Sequence, residues 1–172
     1  MGKSERLFQF ESSGDLMSTT LLLIAHGLLA VALLGAVTHQ AVSVWLPMHE
    51  PANSFVGRVR GVSAASYVNA IIILYVSTAI LGGVFIYPEY RLSVRIVLEQ
   101  MRLRVPVGIF DLKEHFVTVG LGILPAYWYF WRQPLADDHF RTRALLTATL
   151  AFIVWWSFLV GHILNNMRGF GL

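Results

Sequence analysis

Four long apolar runs constrain the fold of this 172-residue chain more than any other feature of its sequence. They extend from Leu16 to Leu46, from Val62 to Ile86, from Leu112 to Trp131 and from Leu145 to Leu164. A transmembrane helix needs about 20 mainly apolar residues, and the runs lack the polar–apolar alternation that is typical of barrel strands. Because a backbone in lipid must satisfy its own hydrogen bonds, the sequence predicts an all-α, integral membrane four-helix bundle.

The composition agrees with a membrane setting. Apolar residues make up 56% of the chain and charged residues 13%, and the mean hydropathy of +0.62 is far from that of an average soluble domain. We interpret residues 1–172 as a single transmembrane domain. Glu11 and Asp15 precede the first run, which lacks a small-residue cleavage pattern, so we expect it to stay in the mature protein rather than act as a removable signal peptide.

The distribution of basic residues predicts an orientation. Four crossings place both termini and the second loop on one side, with eight basic residues against five on the other. The eight are Lys3, Arg6, Arg91, Arg95, Arg102, Arg104, Lys113 and Arg168, and the five are Arg58, Arg60, Arg132, Arg141 and Arg143. This asymmetry favours a multi-pass protein of the inner (cytoplasmic) membrane with both termini in the cytoplasm. The net charge of +3 is then a topology signal with a mild attraction to anionic lipid, and we expect no nucleic-acid partner.

The second loop has a helical pattern of its own. Apolar and basic residues alternate at roughly helical spacing over about residues 90–104, which predicts a cytoplasmic interfacial amphipathic helix between the second and third membrane helices. Arg95 and Glu99 are spaced to form an i,i+4 ion pair. One interpretation is a solvated connecting helix that covers the bundle, and the other is a surface that reaches lipid headgroups or a partner subunit.

The residue inventory restricts the chemistry. The chain has no cysteine, which removes thiol redox chemistry, disulfides and iron–sulfur ligation, and it has no Walker, Rossmann, HExxH or GxSxG motif. Histidine, carboxylate, tyrosine or a bound cofactor must therefore supply any chemistry. Of the six histidines, His49 and His139 fall in the predicted extracytoplasmic loops, where exposure is the ordinary explanation.

Three histidines from three different membrane helices fall at a similar depth near the cytoplasmic leaflet: His26, His115 and His162. Since a polar side chain facing lipid is costly, we expect them to face the bundle interior. Neutral imidazoles without a set of ligating carboxylates or thiolates suit haem b. The sequence therefore predicts one haem b per chain, its iron held by two of these three histidines. The alternative is that they are polar groups in ordinary close helix packing.

Helix faces extend this hypothesis. On the third helix His115 shares a stripe with Thr118, Gly122 and Ala126, which predicts a slot for a macrocycle. On the fourth, the predicted face is an aromatic wall for a porphyrin edge or a quinone ring, and it consists of Ala151, Trp155, Phe158 and His162. On the first, His26 shares its face with Ala30, Leu33, Val37 and Gln40. His39 lies off that face and is interpreted as a polar contact or a partner-facing group.

Two segments carry a family resemblance: "AHGLLAVALLGAVTHQ" in the first helix and "FDLKEHFVTVGLG" at the start of the third. They resemble the small multi-helix haem b membrane proteins of the HemJ/CopD type, in which a histidine opens a glycine-containing first helix and a lysine opens a later one. The resemblance implies haem b with His26 as a ligand and Lys113 near the site. It also places protoporphyrinogen oxidation among the reactions to consider.

Two functional classes follow. In the first, the chain is a b-type haem-binding subunit that transfers electrons between quinone and a partner redox protein in a larger respiratory-type complex. In the second, it is a non-catalytic accessory or assembly subunit of a membrane complex, and a HemJ-like protoporphyrinogen oxidase is a further alternative. Short loops without a recognisable catalytic motif favour a subunit of a membrane oxidoreductase complex over an enzyme acting by itself.

Overall fold

The computed structural model of the chain describes residues 3–46, 54–134 and 139–169. These residues form helices and no strand, which confirms the all-α class. The described helices are α1 (Lys3–Trp45), α2 (Phe55–Arg60), α3 (Ala64–Gln100), α4 (Arg104–Arg132) and α5 (Phe140–Gly169). Four of them are long, and α2 is a short segment ahead of α3.

Three of the long helices are long and apolar enough to cross a membrane. The spans are Met17–Trp45 in α1, Ala64–Gln100 in α3 and Phe140–Leu164 in α5. Large apolar side chains such as Leu28, Phe152 and Leu159 remain exposed on their outer faces, as expected for a surface in contact with lipid. The chain is therefore a membrane protein. α4 has the length but a lower hydropathy, because charged residues occupy its first half and tyrosines, tryptophans and Pro125 its second.

The four long helices pack against one another. α1 packs against α3 and α5, and α4 packs against the same two helices. The core side chains are Leu33, Val37, Val68, Ile71, Tyr75, Leu124, Tyr127, Trp131, Leu150, Ile153 and Val154. On α1 the buried positions Leu33, Val37 and Gln40 continue the face of His26, as the spacing predicted.

α3 is longer than the sequence predicted. It continues past Ile86 to Gln100, and two stretches of wider, π-helical turns, Leu81–Ile86 and Tyr90–Val94, lie on either side of Pro88. Proline lacks the N–H that an α-helix needs at this position, and widened turns are a common way for a helix to pass such a site. The predicted end at Ile86 and the predicted separate helix over 90–104 are therefore wrong in their boundaries, since most of that loop belongs to α3.

A tight turn at Met101–Leu103 joins α3 to α4. The amide of Leu103 bonds the carbonyl of Leu98 (2.9 Å) and the amide of Arg102 bonds that of Glu99 (3.0 Å), with Arg102 at φ 59°. This is the Schellman pattern, in which a left-handed residue ends a helix. α4 then begins at Arg104 rather than at Leu112. The predicted Arg95–Glu99 ion pair is confirmed at 2.8 Å, and Arg95 also reaches Asp111 on α4 at 3.2 Å.

Candidate functional site

A cavity of about 660 Å³ lies between the four long helices, near the ends where α1 begins and α5 finishes. Each long helix lines it with one stretch: residues 19–33 of α1, 75–98 of α3, 106–117 of α4 and 153–164 of α5, and Met101 of the turn after α3 also contributes. We call this half of the molecule the cavity end. The volume is in the range of about 300–1,000 Å³ that is typical of small-molecule sites.

Two histidines line the cavity, His26 from α1 and His162 from α5, and these two helices pack directly against each other. Each is adjacent in sequence to a glycine that also lines the cavity, Gly27 and Gly161. A Cβ at either glycine would meet no described atom within 4 Å. The His162 ring lies parallel to that of Phe158, with 6.3 Å between centroids.

The His26 ring lies against α3. A Cβ added at Gly82 of α3 would lie 2.9 Å from Cε1 of His26, so glycine permits this close approach without a shift of the ring. The ring also faces the backbone of Thr78 on the same helix and lies within electrostatic range of Lys113 and Glu114 of α4. The packing of α3 therefore positions His26, as expected for a side chain that must be oriented.

α4 contributes a charged pair to the cavity. Lys113 Nζ donates to a carboxylate oxygen of Glu114 at 2.8 Å, and the same Nζ lies 4.6 Å from the centroid of the Phe110 ring. Both charged side chains are partly shielded, with 15% of the Lys113 side chain and 31% of the Glu114 side chain exposed. The cavity thus combines apolar walls with a compensated pair of charges next to His26.

Three cavity-lining residues carry a buried polar atom that has no hydrogen-bond partner among the described residues. The atoms are Nδ1 of His26, the hydroxyl oxygen of Tyr90 and the hydroxyl oxygen of Ser157. Buried polar atoms in proteins are almost always paired, and exceptions point to water, an ion or a ligand. Their concentration around one cavity makes this cavity the candidate binding site.

The third histidine of the predicted set lies elsewhere. His115 is exposed on the outer face of α4, where its Nδ1–H donates to the carbonyl of Asp111 at 2.6 Å. Thr118 and Gly122 are exposed on the same face, and a Cβ at Gly122 would meet no described atom within 4 Å. The prediction that this stripe faces the interior is therefore wrong. The inward face of α4 runs instead through Phe110, Lys113, Val117, Gly120, Leu124, Tyr127 and Trp131.

The predicted aromatic wall of α5 is divided between two environments. Phe158 and His162 line the cavity, whereas Trp155 is 42% exposed and donates its indole N–H to the hydroxyl of Thr38 on α1 at 3.0 Å. The hydrogen bond of Trp155 therefore joins α5 to α1 outside the cavity.

The remaining histidines lie outside the cavity. His39 stacks on Tyr67 with 4.6 Å between ring centroids, and its Nδ1 lies 3.5 Å from the hydroxyl oxygen of Ser43. His139 packs its ring against that of Phe130 at 5.5 Å. His49 lies outside the described residues.

Within the described ranges, no cluster of three or more histidine, aspartate, glutamate or cysteine side chains could hold a bare metal ion. The fold and the site define the chain as an all-helical membrane protein with an internal cavity that carries two histidines. Comparison with protein-family models, with curated protein sequences and with solved structures gave no match.

Proposed function

We propose that this chain is a b-type haem-binding membrane subunit, in which His26 and His162 would hold the haem iron. The observation that carries the proposal is that imidazoles on two directly packed helices line one cavity of about 660 Å³. Haem, when bound, supplies one-electron redox chemistry at its iron. This pair is two of the three histidines that the sequence singled out.

The residues fit the macrocycle. A haem brings four nitrogen donors of its own, so it needs one or two protein ligands rather than a cluster of several. Nδ1 of His26 is buried without a described hydrogen-bond partner, so this ring nitrogen is available to a ligand. Gly27 and Gly161, next to the two histidines, also line the cavity and add no side-chain bulk to it. These features support haem over a bare metal ion.

We further propose that all four long helices cross the inner membrane, with both termini in the cytoplasm. α4 packs against α3 and α5, as the membrane-spanning helix α1 does. The low hydropathy of α4 follows partly from Lys113 and Glu114, which face the cavity rather than lipid. The excess of basic residues on the terminal side supports the orientation. A reporter active only in the cytoplasm should work when fused to either terminus and fail when inserted near residue 53.

The depth of the cavity suggests the side of the membrane on which the proposed electron transfer takes place. It lies at the end of the helices that we assign to the cytoplasmic leaflet, so a partner redox protein would dock on that side, and a quinone would reach the same site from lipid. Because few of the described residues lie outside the helices, we propose a subunit of a larger respiratory-type complex rather than a self-contained enzyme.

The test is a reduced-minus-oxidised absorption spectrum of protein expressed with added haem precursor. We expect a b-type signal that is lost in His26→Ala and in His162→Ala and is retained in the two matched controls, His115→Ala and His39→Ala. A stable, colourless wild-type protein would overturn the haem proposal and favour an accessory subunit. Loss of the signal in His115→Ala but not in His162→Ala would instead support the ligand pair His26 and His115.

A further inference from the structure

Tyr90 and Ser157 line the cavity with a hydroxyl group that has no described hydrogen-bond partner, and Tyr90 is the more deeply buried of the two. Only 9% of its surface is exposed, it lines the cavity, and its hydroxyl has no hydrogen-bond partner among the described residues. Its ring is fixed by stacking on Phe110 of α4, with 3.8 Å between centroids. A buried tyrosine hydroxyl usually finds a partner, so a rigidly held, unpaired donor indicates an acceptor on a ligand.

A second donor lies against the same aromatic ring. Lys113 Nζ is 4.6 Å from the Phe110 centroid, so the Tyr90 and Lys113 side chains both pack on Phe110. The Lys113 ammonium already pairs with Glu114, which limits how much it can attract an anion by charge alone. The Tyr90 hydroxyl is a neutral donor, so it adds hydrogen bonding without adding charge.

We propose that the Tyr90 hydroxyl, together with Lys113, binds a carboxylate of the amphipathic ligand in the cavity. The inference rests on the proposed function, and for haem b the carboxylates are those of its propionate side chains. The apolar part of the ligand then lies between His26 and His162, and its acidic edge points toward the end of the cavity formed by Tyr90 and Phe110. Tyr90 is a positioning residue here, because it holds the ligand's edge and does not touch the iron.

The test compares two ligands and two variants. Haem-depleted protein in detergent is titrated with haem and with haem dimethyl ester, whose carboxylates are blocked, and binding is followed by absorbance. We expect the wild type to bind haem at least about tenfold more tightly than the ester, the size of effect that a hydrogen bond to a charged group produces. Tyr90→Phe, which keeps the ring stacked on Phe110, should weaken haem binding about tenfold and leave ester binding unchanged.

Tyr87→Phe is the matched control, because Tyr87 also lines the cavity and packs its ring against Phe110, at 6.2 Å, but its hydroxyl is not a buried unpaired group. We expect it to bind both ligands like the wild type. Equal affinities of the wild type for haem and the ester would overturn the inference while leaving haem binding itself intact. Failure of the wild type to bind either ligand would overturn the proposed function, and the inference with it.

Discussion

Buried polar groups are hydrogen-bonded at one end of the four long helices, and several lack a described partner at the other. At the end away from the cavity, which we call the packed end, the Tyr127 hydroxyl donates to Oε1 of Gln40 (2.6 Å), and Nε2 of Gln40 donates to the carbonyl of Ala64 (3.0 Å). Trp131 donates to Thr147 in the same region (3.2 Å). At the cavity end, the side chains of His26, Tyr90 and Ser157 have a buried polar atom without a described partner.

The backbone is also more regular at the packed end than at the cavity end. α3 is regular α-helix from Val68 to Ile80 near the packed end and then widens into π-helical turns along the cavity. Wide turns, open space at glycines and unpaired donors are each unfavourable for stability, and such departures tend to concentrate at functional sites. The packed end therefore has the features that stabilise the fold, and the cavity end is where we propose that the ligand binds.

The largest expected effect is on the free energy of unfolding, when a side chain is added at a closely packed glycine of the core. The Tyr75 hydroxyl donates to the carbonyl of Val117 at 3.1 Å, and it occupies the space that a Cβ at Gly120 would need. Gly120→Val must therefore displace Tyr75 and separate α3 from α4. We expect a loss of about 3 kcal/mol or more in the free energy of unfolding, measured by denaturing-detergent titration.

Gly122→Val is the matched control for Gly120→Val, because it makes the same change two residues away on the exposed face of α4, where a Cβ meets no described atom within 4 Å. Its effect should stay within about 1 kcal/mol, and the higher helix propensity of valine acts in the stabilising direction. Equal losses in the two variants would show that the inward face of α4 is assigned wrongly.

The next effect tests the paired polar groups of the packed end. Tyr127→Phe removes the donor to Gln40, and both residues are fully buried at 0% exposure. The amide oxygen of Gln40 is then left without this hydrogen bond in a dry core, which should lower the free energy of unfolding by about 1–3 kcal/mol. Tyr129→Phe, on a side chain that is 53% exposed, should change it by less than about 0.5 kcal/mol. A cost for Tyr127→Phe as small as that for Tyr129→Phe would contradict the view of the packed end as the source of stability.

The sequence predicted more about α1 than about α4, for a physical reason. On α1 the inward face is apolar apart from His26 and Gln40, so spacing alone identified it. On α4 the inward face includes Lys113 and Glu114, which sequence reasoning expects to avoid a membrane interior, whereas the outward stripe of small residues around Gly122 resembles a packing face. The 3–4 spacing of Val117, Gly120, Leu124, Tyr127 and Trp131 was the available signal for the correct face.

Other features depended on contacts that no local pattern records. The roles of Tyr90 and Ser157 follow from the course of α3 past Pro88 and from the packing of α5, and neither residue stands out in the sequence. The predicted i,i+4 pair of Arg95 and Glu99 was local and was confirmed, but the contact of Arg95 with Asp111 required knowing that α4 begins eight residues before the predicted start.

A smaller effect on stability, with a larger one on binding, is expected at the cavity end. Gly82→Ala would bring a methyl group within 2.9 Å of the His26 ring, and because that ring is the end of a flexible side chain, the imidazole can shift at a cost of about 1 kcal/mol. A displaced ligand should nevertheless weaken haem binding several-fold, because a metal ligand must be held to within about 0.5 Å. Spectral titration with haem and thermal unfolding of the same sample measure both quantities.

Gly83→Ala provides the comparison for Gly82→Ala, since a Cβ at Gly83 meets no described atom within 4 Å. Both glycines lie in the same π-helical stretch, so replacing either with alanine should lower the entropy of the unfolded chain by a similar amount. A Gly83→Ala protein with haem affinity reduced as much as in Gly82→Ala would mean that the wide turns themselves, rather than the His26 contact, control the site.

The smallest expected effect concerns the turn that closes the cavity end. Arg102 has φ 59°, a left-handed conformation that costs a residue with a Cβ about 1 kcal/mol relative to glycine. Arg102→Gly should therefore raise the free energy of unfolding by about 0.5 kcal/mol, after allowance for the greater entropy of glycine in the unfolded chain. Arg102→Ala removes the same charge but keeps the Cβ, so it should give no gain, and a gain in both variants would trace the effect to charge rather than to φ. Hydrogen exchange then sharpens the comparison between the two ends: if they unfold as one unit, Arg102→Gly slows exchange throughout α3 and α4, and if the cavity end opens by itself, slowing is confined to the residues next to the turn.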